Sequence, residues 1–238
     1  MMEDITRLDS PIDVMVLMHK AFHALSLRVE GLAAASEKGG DLTEFQKGFE
    51  FWVKQLVHHA TTEDNYMTGP LKNSQPARDN ETEHVELVKH ATGIVEFLGK
   101  GDTAGLEDNV KAAMFTLDEQ QHEDLVDSAK EIQEILTREM GRDKVITRTR
   151  RHLYRKVMDM RILEFDHFEN EEAFVCSLVR DQMSEQQQLD LVKRLLVDES
   201  AEDPRWVIDW VAEEIKPNER QLLADLETRF AGISTAAD

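Results

Sequence analysis

The segment LEFDHFENEEAF, residues 163–174, places one histidine and several acids among three phenylalanines. Residues four positions apart on a helix share a face, so His167 aligns with Glu171. At about 100° per residue, the same face carries an apolar set: Met160, Leu163, Phe174 and Leu178. We therefore expect His167 and Glu171 to point inward. Glu169 and Glu172 are expected to turn away and face solvent.

The same test places four further histidines on the apolar faces of four other predicted helices: His19, His59, His84 and His122. His59 is followed four residues later by Glu63, which gives a second aligned His/carboxylate pair. Asp118 lies one turn before His122, where it can hydrogen-bond to that imidazole. Three of the remaining histidines lie off the apolar faces: His58, His90 and His152. The fourth, His23, lies at the edge of the apolar face that carries His19.

These buried positions favour a metal site. A single inward histidine is usually a structural residue bonded to a carbonyl or a carboxylate. Several imidazoles and carboxylates buried together are unfavourable unless something compensates them, and a shared cation does so. Cys176 is the only cysteine, so the ligands are imidazole and carboxylate, which suit iron, manganese or zinc. Two ions bridged by Glu63 and Glu171 would use the whole set.

Composition narrows the class of protein. The 238 residues include 48 acids and 28 bases, a formal charge of -20, which argues against nucleic acid as a partner. A chain of this length can bury a substantial core. No apolar run reaches membrane-spanning length, and the start MMEDITRLDS lacks the regions of a signal peptide. We therefore expect a cytoplasmic protein without a membrane partner.

The helical periodicity and the positions of proline predict an all-α fold. The predicted long helices cover residues 11–36, 42–67, 79–98, 105–139 and 143–182, and three short helices follow Ser184, Pro204 and Pro217. We divide the chain into a helical bundle, residues 1–183, and a C-terminal helical appendage, residues 184–238. Trp206 and Trp210 lie one turn apart and predict a docking face onto the bundle or a dimer contact.

Four segments of the chain together resemble the hemerythrin-like (HHE cation-binding) family: LMHKAFHAL, LVHHATTEDNYM, ETEHVELV and DHFENEEAFV. The resemblance covers most of residues 12–180. It implies an antiparallel up-down four-helix bundle around a non-haem centre of two iron ions with an oxo or hydroxo bridge. The chain departs from that pattern in the extra long helix at residues 105–139, where His122 can take a coordination position that the third ligand helix lacks.

The leading hypothesis is a di-iron protein that binds or senses dioxygen, nitric oxide or peroxide. Its predicted ligands are His19, His59, Glu63, His84, His122, His167 and Glu171. A di-metal oxidase or peroxidase at the same residues is the first alternative, because carriage, sensing and catalysis would use the same ligands. A metal-free helical interaction or regulatory protein with structural histidines is the second, and its partner would bind the basic stretch MGRDKVITRTRRHLYRK or the two-tryptophan helix. Both surfaces are also candidates for a homodimer contact.

Overall fold

The first helix begins where Ser10 and Pro11 predict it. In the computed structural model, which describes residues 4–37, 42–98 and 143–231, a 3-10 turn at Pro11–Asp13 leads directly into helix α1, Val14–Ser36. The Asp13 carboxylate accepts hydrogen bonds from the Ser10 backbone N–H at 2.8 Å and from its hydroxyl at 3.1 Å. These bonds satisfy donors at the helix start that have no partner within the helix.

Within the described ranges the other helices are α2 (Thr43–Glu63), α3 (Gln75–Leu98), α4 (Asp143–Asn170), α5 (Cys176–Gln182), α6 (Glu185–Leu196), α7 (Trp206–Glu214) and α8 (Pro217–Phe230). A π-helical segment, Asp64–Thr68, extends α2, and a second one, Glu171–Val175, joins α4 to α5. A 3-10 turn at Gly69–Leu71 follows the first π segment. No strand occurs among the described residues, and the all-α prediction is confirmed.

The predicted bounds agree with the structure except at α3, which begins at Gln75 rather than at residue 79. The reason is local: Ser74 precedes Gln75 and Pro76, and its hydroxyl lies 3.4 Å from the Ala77 backbone N–H, as at a helix cap. Residues 75–78, which precede the predicted start, therefore form the first turn of α3. The predicted helix at residues 105–139 lies outside the described residues.

The chain divides into two compact units, and the first comprises residues 1–25, 58–81 and 167–238. In it, the C-terminal helices pack against the start of the chain. Trp210 lies edge-on to Phe22 with ring centroids 5.0 Å apart, and Gln188 accepts a hydrogen bond from the Ile12 backbone N–H. The buried Glu219 carboxylate accepts a bond from Ile5. The boundary between residues 183 and 184 stays a prediction.

The second unit comprises residues 26–57 and 82–166, and its core contains an aromatic row on α2. Phe49 stacks on Phe45 and meets Trp52 edge-on, with centroids 5.9 Å apart in both cases. The Trp52 indole donates to the buried carboxylate of Glu164, which gives this acid a partner inside the core. None of the described helices combines the length and apolar character needed to span a membrane.

Candidate metal centre

His19 is presented by the apolar face of α1. Its ring is fully buried and lies flat against Phe168, with centroids 4.0 Å apart and an interplanar angle of 9°. Phe22, one turn further along α1, packs against the His59 ring at 5.1 Å. Aromatic side chains therefore fix the plane of His19 and keep solvent away from it.

His59 and Glu63 form the aligned pair that their spacing predicts. They lie on the last turn of α2, and both are buried. Nε2 of His59 is 2.8 Å from Oε1 of Glu63. The i, i+4 relation on a regular helix is sufficient to produce this contact.

Glu171 connects different helices. Its Oε2 lies 3.2 Å from Nε2 of His19 and 4.0 Å from Nε2 of His59. One ligand-type atom of each of these three residues lies within 4.8 Å of the others, and all three side chains are buried. An imidazole from α1, an imidazole from α2 and a carboxylate from the second π segment thus converge on one point.

The hydrogen bonding of these groups fits a cation. Within residues 4–37, 42–98 and 143–231, several buried atoms of this group make no hydrogen bond: both oxygens of Glu171, both ring nitrogens of His59, and Nε2 of His19. The short distances between these atoms are therefore contacts without the geometry of a hydrogen bond. Polar groups buried in this way destabilise a fold by about 1–3 kcal/mol each. A metal ion accepts lone pairs from all of them at once, so the residues present fit such an ion.

The other predicted ligands are placed as follows. Glu63 and His167 are buried in the first unit, with ligand-type atoms within 4.8 Å of each other. His84 is buried on α3 in the second unit. His122 lies outside the described residues, as does Asp118. The inward orientation predicted for six of the seven ligands is observed, and their assignment as ligands stays a prediction.

Two orientations predicted near His167 are wrong. Phe174 was expected inward and is 58% exposed, whereas Val175 and Val179 are buried in its place. Glu172 was expected to face solvent, but its Oε1 lies 2.7 Å from Nδ1 of His19. The cause is the π-helical turn Glu171–Val175, which has more residues per turn than an α-helix, so 100° per residue no longer applies.

The electrostatics of His19 follow from its two carboxylate neighbours. Burial alone would lower its pKa, but Glu171 and Glu172 outweigh burial and raise the pKa of His19 to about 9. In the metal-free protein the ring is therefore positively charged at neutral pH, and a metal must displace a proton from it. Burial, together with the charge of Glu171, raises the pKa of the Cys176 thiol well above its usual range. This thiol is therefore protonated at neutral pH.

The histidines not predicted as ligands behave differently from one another. His152 is exposed, as predicted, and His90 is half-buried, with its Nδ1 2.9 Å from the Glu86 carbonyl oxygen of its own helix. His58 is also half-buried: its ring meets Trp206 edge-on at 5.4 Å, beside a cavity of about 310 Å³. Burial lowers the pKa of His58. Trp206 also donates to Asp198 at 3.2 Å, so this tryptophan docks within its own unit.

Residues 10–118 match the family model of the hemerythrin HHE cation-binding domain. The predicted hemerythrin-like resemblance is confirmed. The HHE match includes the helices that carry His19, His59, Glu63 and His84, and it ends before His167 and Glu171. A search of curated proteins gave no match, and neither did a search of solved structures. The helical fold, the HHE match and the converging His/Glu group agree on a site that can hold a metal cation.

Sequence reasoning missed two acids that contact buried side chains, one in each unit: Glu172 and Glu164. Glu172 was missed because the π turn gives no signal in the hydrophobic period. Glu164, the acceptor for Trp52, was missed because a lone acid on a long helix is most often solvent-exposed. The burial of Trp52 was a usable signal, since an indole N–H in a core needs an acceptor.

Proposed function

We propose that this chain is a non-haem di-iron protein of the hemerythrin type that binds or senses dioxygen, nitric oxide or peroxide. The observation that carries the proposal is the convergence of His19, His59 and Glu171, buried and without hydrogen bonds among the described residues at the atoms that face each other. Glu63, His84 and His167, all buried, and His122 complete the proposed ligand set.

The kind of donor supports iron as the metal. Imidazole nitrogens and carboxylate oxygens without thiolate are typical of non-haem iron sites in helical proteins. Iron held there would supply an open coordination position for a small ligand. The chain's own part is to present the donors and to exclude water, which the packing of Phe22 and Phe168 against the two imidazoles supports.

The test is metal analysis combined with optical spectroscopy. The full chain is loaded with ferrous iron without oxygen, passed over a desalting column, and its spectrum recorded before and after exposure to air and to nitric oxide. We expect about two irons per chain, as in carboxylate-bridged helical bundles, and absorption changes with each gas. A protein that retains no iron contradicts the proposal. Retained iron with no spectral response contradicts the sensing and binding role alone.

A matched variant controls for adventitious iron. Glu169 lies in the same acidic stretch as Glu171 but is exposed. Glu169→Ala should retain the iron content and the spectrum, whereas Glu171→Ala should lose both. Equal iron in both variants would mean that the iron is bound elsewhere.

A further inference from the structure

We propose that Glu172 is a positioning residue for the metal centre, which holds the His19 ring in the orientation and tautomer that present Nε2 to the metal. The inference rests on the proposed metal site, and it concerns a residue that the sequence pattern assigns to solvent.

The two nitrogens of His19 meet adjacent acids. Nδ1 lies 2.7 Å from Oε1 of Glu172, and this contact is a hydrogen bond. Nε2 lies 3.2 Å from Oε2 of Glu171, and this contact is not a hydrogen bond. An ionised carboxylate only accepts, so Nδ1 must carry the proton that is shared with Glu172. In the neutral ring this leaves the lone pair on Nε2, the atom that faces Glu171 and His59.

The local backbone explains how two consecutive residues reach one ring. On a regular α-helix neighbours diverge by about 100°, which would turn Glu172 away from the face that carries Glu171. The turn Glu171–Val175 is π-helical and closes with a hydrogen bond from the Cys176 N–H to the Glu171 carbonyl. This wider turn reduces the angle between successive side chains.

Burial separates the roles of the two acids. The side chains of His19 and Glu171 are fully buried, whereas that of Glu172 is 30% exposed. Glu172 thus stands at the edge of the site, with His19 between it and Glu171. Carboxylates placed behind a metal-binding imidazole in this way orient the ring and strengthen it as a ligand, and their loss weakens metal binding by about 10–100-fold.

The test uses Zn²⁺, which is diamagnetic and suits the same donors. Wild type, Glu172→Ala, Glu172→Gln and the control Glu169→Ala are titrated with Zn²⁺ against a chelator. The nitrogen chemical shifts of His19 and the exchange rate of its Nδ1 proton are measured by NMR. For Glu172→Ala we expect about 10–100-fold weaker zinc binding and much faster exchange of the Nδ1 proton. The Glu172→Gln amide oxygen still accepts, so this variant should remain near wild type, and so should the control.

The outcomes separate this inference from the proposed function. Wild type that binds zinc, with unchanged affinity and proton exchange in Glu172→Ala, overturns the role of Glu172 and leaves the metal site intact. The same holds if Glu169→Ala weakens binding as much as Glu172→Ala. Wild type that binds neither iron nor zinc overturns both proposals. A weaker affinity in Glu172→Ala with an unchanged Nδ1 proton would assign Glu172 to general stability and overturn the positioning role.

Discussion

The two His-x-x-x-Glu turns, His59–Glu63 and His167–Glu171, share a spacing but not a geometry. In the first, Glu63 lies 2.8 Å from the histidine of its own helix. In the second, Glu171 lies 3.2 Å from His19, which comes from α1, and 4.0 Å from His59 of the first turn. Glu63 also has a ligand-type atom within 4.8 Å of one of His167, which comes from α4. The closest contact is therefore within one helix in the first case and between helices in the second, although both acids reach a histidine of another helix. The difference shows that the spacing predicts which face an acid occupies and leaves its partner to the packing.

The π segments that accompany the two turns differ in the same way. Asp64–Thr68 begins after Glu63 and is closed by a bond from the Gly69 N–H to the Asp64 carbonyl. Glu171–Val175 begins at the glutamate itself and is closed by Cys176. Because the second π turn starts one position earlier relative to the pair, it also reorients the next acid, Glu172.

The largest effect is expected for Glu171→Ala. This change removes a carboxylate that faces both His19 and His59, so metal affinity should fall by more than the roughly 100-fold loss that removing an outer partner causes. Competition with a chelator measures the affinity, and circular dichroism checks that the helices remain. An affinity close to that of wild type would contradict the assignment of Glu171 as the acid that joins His19 and His59 at the metal.

A smaller effect is expected for Glu63→Ala. The short contact of Glu63 is to His59 on its own helix, and the change leaves Glu171 beside His19 and His59. Because Glu63 is itself a proposed ligand, metal affinity should fall by at least the roughly 100-fold loss of an outer partner, but by less than in Glu171→Ala, in the same chelator titration. If Glu63→Ala binds more weakly than Glu171→Ala, the acid within the helix is the more important of the two.

Gly69, which closes the first π turn, allows a test of stability. A Cβ at Gly69 would lie 2.7 Å from the Asp64 carbonyl oxygen, closer than such atoms approach. Gly69→Ala should therefore lower the free energy of unfolding by about 1–3 kcal/mol, measured by urea denaturation. Gly93→Ala is the control, since nothing lies within 4 Å of its added Cβ, and it should be stabilising by about 0.5–1 kcal/mol. Equal stability of both variants would show that the first π turn tolerates a side chain.

The smallest effect is expected at the start of α1, away from both turns. Burial would raise the pKa of Asp13, but the bonds from Ser10 and the guanidinium of Arg180 lower it below its ordinary value. A lowered pKa contributes stability above the ordinary value of 3.8 that is lost as the pH falls through the folded-state pKa.

Asp13→Ala should therefore reduce stability by about 1 kcal/mol at neutral pH, and the difference from wild type should be smaller in acid, at about pH 2. Urea denaturation at both pH values measures it. Metal affinity should stay unchanged, because Asp13 touches neither turn. A difference that persists in acid would point to packing rather than charge.

Helix positions and the inward faces of six ligands could be predicted because they depend on local signals. Ser10 with Pro11 marks a start, and an apolar stripe marks a face. The partners of each acid could not be predicted, since the contact between Glu171 and His19 joins residues far apart in the chain. The exposure of Phe174 and the contact of Glu172 were predicted wrongly, because both depend on a change of helical period that no residue type announces. The role of His122 as a ligand stays a prediction.

The turn Glu171–Val175 also has an evolutionary consequence. A π turn arises from an α-helix when one residue is inserted, and it absorbs the extra residue without shifting the helix beyond it. Val175 and Val179 are buried in the core, whereas Phe174, within the turn, is exposed. A single codon gained or lost at this point would therefore add or remove the Glu172 contact to His19 while the surrounding core stays in register. Related chains that differ in length by one residue here should differ in how they tune their metal.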